Sequence, residues 1–253
     1  MIAARIRAMG APHWLGLYGL ILGAWGLLYA MAVPADLRAA SSLYGIEFLA
    51  ALCVATPDAA GYFGLLAMWA IMSAAMMAPT ALPALATYED LGQAGAETRI
   101  AGLVAGYLAI WVGFSTFAAA AQLTLFQAGL LDPFGTSLSA VLSAALLALA
   151  GAWQFTPLKE ACLSKCRAPM MFFLQHFDEG PWRNGLRLGA VCLGCCWALM
   201  LLAFVGGTMN LVFMGIATIL MALEKLPEIG RWLTRPLGVA LLAASAVTLW
   251  TAF

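Results

Sequence analysis

Three cysteines fall within five residues: Cys192, Cys195 and Cys196 stand at i, i+3 and i+4, and Met200 follows four residues beyond the last. Residues three and four apart share one face of a helix, so a single helix would present three thiols and a thioether together. Cys162 and Cys166 form a second pair at i, i+4, set among Lys159, Lys165 and Arg167. Cationic neighbours lower a thiol pKa toward the thiolate that binds metal. Met68, Met72 and Met76 make an i, i+4, i+8 column with Met77 beside it, each step drifting by about 40° around the helix. Taken alone the methionine column fits packing, because Met fills gaps between helices well. Three thiols in five residues fit it poorly, since structural cysteines hide singly in apolar interiors. The isolated Cys53 reads as an inert packing or surface residue, and Met209, Met214 and Met221 as packing.

Thiolate and thioether ligands select Cu(I), whereas imidazole and carboxylate suit Zn, Mn, Mg or Ca. Histidine occurs only at His13 and His176, outside the apolar stretches, and His176 reads as a surface residue. Zinc in an all-cysteine site is the poorer fit, since a closed site of that kind supplies structure rather than traffic. Thioethers are neutral and sit in lipid at little cost, where an ionised group costs a few kcal/mol or more. The expected cargo is therefore Cu(I), with Met68, Met72, Met76, Cys162, Cys166, Cys192, Cys195, Cys196 and Met200 as its ligands.

The elements that must position these groups are membrane helices. Of 253 residues, 64% are hydrophobic and 9% charged, with mean hydropathy +0.94, against about 25% charged in a soluble domain. Twelve basic residues balance twelve acidic ones, leaving no field to hold nucleic acid. No Gly-rich phosphate loop with its lysine and no nucleophile beside a histidine base appears, so no enzyme of those classes is expected. Seven stretches approach the roughly 20 apolar residues that a span needs: 14–33, 62–85, 100–127, 138–153, 188–206, 210–223 and 236–253. The fourth and sixth are short, which leaves six as the alternative count. The expectation is an all-α, polytopic transmembrane bundle forming one domain over residues 1–253. The first span is too long for a signal h-region and no small-residue cleavage site follows it.

Basic residues resist translocation. Seven spans with the N-terminus in the cytoplasm leave every Lys and Arg inside except Arg38. The longest break, 154–187, then faces the cytoplasm. Thr156-Pro157 reads as an N-cap followed by Pro at the first helical position, opening a short helix to about Arg167. Met170–Leu174 is too short to span and reads as interfacial or re-entrant. Leu43–Val54, with Glu47, reads as a surface helix. Pro79 and Pro83 are expected to kink the second span and free carbonyls. Gly102-x-x-x-Gly106 permits close helix contact. Glu224-Lys225 marks the inner membrane border, with an inward-pointing, gating Glu224 as the minority reading.

The pieces Met68-Trp69-x-x-Met72-x-x-Ala75-Met76-Met77-x-Pro79, Trp153–Lys159 with Cys162, Cys166 and Arg167, and Cys192-x-Gly194-Cys195-Cys196-Trp197-x-Leu199-Met200 occur in this order. Gly207-x-Met209-Asn210 and Glu224-Lys225 continue the series. In these residues the chain resembles a family of bacterial membrane proteins catalogued as a domain of unknown function and described as predicted metal-binding integral membrane proteins. The resemblance implies a multi-pass protein of the bacterial inner membrane with a metal site, and it assigns no substrate. The function read from the residues is Cu(I) binding in transport or in delivery to a metalloenzyme, the partners being the bilayer and a metallochaperone or membrane enzyme complex. One alternative is an accessory or assembly subunit of an energy-converting complex. The other is a membrane thiol–disulfide oxidoreductase, against which stand the awkward i, i+4 disulfide geometry and the reducing cytoplasm.

Overall fold

With no water in hydrocarbon to satisfy amides, an apolar chain must hydrogen-bond within its own segments. The computed structural model describes residues 12–33, 46–93 and 99–252, and no strand forms among them. Arg5, Arg7 and Arg38 lie outside the described residues, as does the start of the expected surface helix. The long helices are α1 (Pro12–Ala32), α3 (Ala59–Gln93) and α4 (Ile100–Gln127). A six-residue α2 (Ile46–Ala51) precedes α3. After α4 come α5 (Ala140–Trp153), α6 (Pro157–Arg167) and α7 (Pro169–His176). The chain closes with α8 (Pro181–Leu201), the one-turn α9 (Ala203–Gly206), α10 (Leu211–Lys225) and α11 (Gly230–Trp250).

The all-α bundle expected from the sequence is what forms. Among the described residues, five helices are long and apolar enough to cross a membrane: α1, α3, α4, α8 with its continuation to Gly206, and α11. The α5–α6 pair, bent by 62°, raises the number to six. The expected sixth stretch forms as α10, but its 15 residues fall short of the roughly 20 that a bilayer requires. The long helices connect two ends of the bundle, whereas α5 and α10 stop partway, Trp153 reaching Gly194 and Lys225 reaching Cys192 midway along α8. One end joins Trp14 to Glu89 and brings Gly102 against Pro181. The other joins Ala55 to Pro133 and Ser137 to Phe204 by backbone hydrogen bonds. Met170–Leu174 lies within α7, which buries Phe172 and Phe173 and exposes Met171 and Leu174, with Phe173 packed 5.0 Å from the Tyr88 ring.

Proline inside α3 removes an amide without ending the helix. Pro79 leaves the Ala75 carbonyl without its i+4 donor, and the Trp25 indole of α1 donates to that oxygen at 3.0 Å. The helix therefore runs past the expected end at Leu85 to Gln93.

The closest seam joins α4 to α8. A Cβ on Gly185 would lie 2.2 Å from the Leu103 carbonyl oxygen, and one on Gly106 would lie 2.3 Å from that of Trp182. Both obstacles are backbone, so neither can step aside. Gly185→Ala is expected to push α4 from α8 and to destabilise the protein by about 1–3 kcal/mol, as overpacking does. Thermal unfolding of the purified protein in detergent checks this, and an unchanged midpoint would contradict the seam.

Candidate metal centre

The thiols of α8 converge as their spacing requires. Cys192, Cys195 and Cys196 are all buried, and their sulfurs lie within 4.8 Å of one another. Cys195 Sγ approaches Cys196 Sγ to 3.2 Å and donates to the Cys192 carbonyl at 3.0 Å. Metal–thiolate bonds of about 2.3 Å place two sulfurs at most about 4.6 Å apart across a shared ion. The donor set thus needs only small side-chain adjustments to enclose a soft cation. Met200, one turn further along α8, is buried as well.

Three other helices close on Cys192. From α10, Lys225 Nζ donates to Cys192 Sγ at 2.9 Å and to Thr80 Oγ1 of α3 at 2.5 Å. From α4, the Tyr107 hydroxyl lies 3.0 Å from the same sulfur and donates to the Met77 carbonyl of α3 at 2.9 Å. Lys225 and Glu224 are buried inside the bundle, as the inward-pointing reading of Glu224 has it. The physical reason is pairing, since each buried charge finds a partner from a distant segment. Glu224 takes Lys159 of α6 at 2.9 Å, both side chains being almost wholly excluded from solvent. Tyr107 and Thr80 carried no signal in the sequence, because each sits singly on an apolar helix.

The second cysteine pair is brought to the same place. Thr156 caps α6 by accepting the Lys159 amide at 3.3 Å, and Pro157 occupies its first turn, as the sequence predicts. Cys162 Sγ nestles at Gly194 of α8, where an added Cβ would approach it to 2.6 Å. Cys166, one turn further along α6, packs against the same core. Arg167 fixes the end of α6 by donating through Nε to the Glu224 carbonyl (2.9 Å) and through Nη2 to Thr234 (3.2 Å).

Met68, Met72 and Met76 are buried on α3 in the same core as the cysteines. The α3 and α8 backbones make little direct contact, α3 packing instead on α1, α4 and α10. Tyr107 and Lys225 link α3 to Cys192 through the Met77 carbonyl and the Thr80 hydroxyl. Buried Met214 and Met221 on α10 add further thioethers to this interior. Cys53 is buried and packs as expected. His13 reaches Glu89 at 3.1 Å and His176 the Phe172 carbonyl at 2.9 Å, both away from the thiols.

Access to the thiols is graded. An open cleft of about 510 Å3, with Trp14, Arg167 and Pro227 on its walls, reaches Cys166, Pro83 and Lys225. The same three residues border a small inner chamber of about 20 Å3 that touches Cys192, Tyr107 and Thr80, roughly the room taken by one water or ion. Cys166 is the sulfur common to cleft and chamber. A family model described as PpoB2, copper chaperone, matches residues 66–248, a span that includes every residue of this centre. No curated protein and no solved structure matches the chain.

Proposed function

Because the chain belongs to the PpoB2 copper chaperone family, we propose that it takes Cu(I) at the cleft through Cys166, holds it at Cys192, Cys195 and Cys196, and hands it on within the membrane. The observation that carries this reading is the buried three-thiol cluster, whose donors suit a soft monovalent ion. A Cu(I) ion between two thiolates carries net negative charge. The Lys225 ammonium beside Cys192 would neutralise it in a medium where an uncompensated charge is costly. Movement from Cys166 through the shared chamber to Cys192 and onward proceeds by exchange between sulfurs, so the ion keeps ligands at each step. Met200 and the thioethers of α3 would extend the route across the bilayer.

We place the protein in the bacterial inner membrane with the cleft end in the cytoplasm, following the distribution of Lys and Arg. In this reading it is a carrier rather than a catalyst, with a metallochaperone as donor or a membrane metalloenzyme as recipient. Elemental analysis of the purified full chain under reducing conditions tests the proposal. At least one equivalent of copper per chain is expected after exposure to Cu(I). Zinc alone, or no metal, would overturn it.

A further inference from the structure

A second cleft lies on the outer side of the α5–α6 bend and does not touch the thiols. It encloses about 680 Å3 between the Gln154–Thr156 corner and the first turns of α11. At its base Gln154 is 5% exposed, yet neither its amide nitrogen nor its amide oxygen has a hydrogen-bond partner. Leaving a buried polar group unpaired costs about 1–3 kcal/mol, so an unpaired amide lining a cleft points to a ligand that completes it. Arg231 and Arg235 stand over the same cleft, both exposed and without an ion-pair or hydrogen-bond partner among the described residues. Trp232 between them is 81% exposed, the disposition of an indole that sits at headgroup depth. Glu160, the carboxylate in the lining, is directed to Arg167.

We infer that this cleft is a phosphate site, filled in the membrane by the headgroup of an anionic phospholipid. Two free guanidiniums offer the fork that matches phosphate oxygens, the Gln154 amide donates from below, and Trp232 lies against the glycerol and upper acyl region. The ligand would brace the bend from which α6 leaves α5. The inference is independent of copper.

The test uses the full chain, delipidated in a neutral detergent, with three probes: dioleoyl phosphatidylglycerol, dioleoyl phosphatidylcholine and inorganic phosphate. Binding is read by native mass spectrometry and by the shift in thermal midpoint. Phosphatidylglycerol is expected to bind and stabilise, and phosphatidylcholine to do so far less. A basic residue at a membrane surface strengthens anionic-lipid binding by about fivefold, so R231Q/R235Q is expected to lose about 25-fold. Gln154→Leu carries a separate signature, a raised midpoint without lipid and a reduced shift with it, because it removes the unpaired amide. Saturable stabilisation by inorganic phosphate without phosphatidylglycerol binding would keep the phosphate site and assign it to a free phosphate ester. Equal binding of the two lipids with no response to phosphate, or full binding by R231Q/R235Q, would overturn the inference.

Discussion

Replacing Cys192 and Cys196 together by serine is expected to abolish tight Cu(I) binding by the purified protein. Only Cys195 would remain of the three sulfurs that lie within 4.8 Å of one another, and one thiol cannot enclose an ion. Serine is the informative substitution because it keeps the shape while exchanging a soft donor for a hard one, to which Cu(I) is indifferent. The effect should be large, several orders of magnitude in affinity, since two of three metal–sulfur bonds disappear. Competition against a chromophoric Cu(I) chelator, anaerobically and with reductant, measures it. Cys53→Ser is the control, because Cys53 is buried far along the chain in the turn after α2 and should leave affinity untouched. Unchanged stoichiometry in C192S/C196S would count against the centre.

Breaking the Lys159–Glu224 pair is expected to be the most damaging substitution for stability. The two groups meet at 2.9 Å with almost no solvent exposure, and removing one partner strands the other charge in a low-dielectric interior. Losses of about 3–5 kcal/mol are typical of that situation, so Glu224→Ala should lower the thermal midpoint sharply in detergent. Replacing both residues by apolar ones of similar size should recover most of the loss, as paired replacement often does. A double-mutant cycle separates the two cases, and an additive result would show that the pair does not act as a unit. The bond ties α6 to α10. Its loss should therefore also loosen Cys162 and Cys166 from α8 and slow delivery to the inner thiols more than it weakens their affinity.

Much of this arrangement was legible from residue order. Apolar length located the helices, Thr156-Pro157 located the start of α6, and the i, i+3, i+4 spacing placed three thiols on one face. What escaped was set by long-range pairing. A lysine and a glutamate at the end of an apolar run look like a border, because an isolated charge is expensive in lipid. The partner that makes Glu224 affordable lies 65 residues earlier. Likewise the apolar stretch begins at Leu188, whereas α8 begins at Pro181. Asn184 is accommodated there by donating to the His176 and Gly180 carbonyls at 2.9 and 3.0 Å, and Arg187 by reaching Glu179 at 2.6 Å. Local pattern shows which side chains share a face. It does not show which distant segment will meet them.

The glycine-lined contact between α4 and α8 has a mechanical corollary. With Gly106, Gly185 and Gly189 each set against backbone or a Cβ, the two rods mesh without any pliant layer between them and can neither slide nor roll. They behave as a stator, with the three clustered thiols and Met200 mounted on one of its members. Whatever rearrangement the bundle undergoes falls to the surrounding parts, α10 among them, moving against a fixed blade.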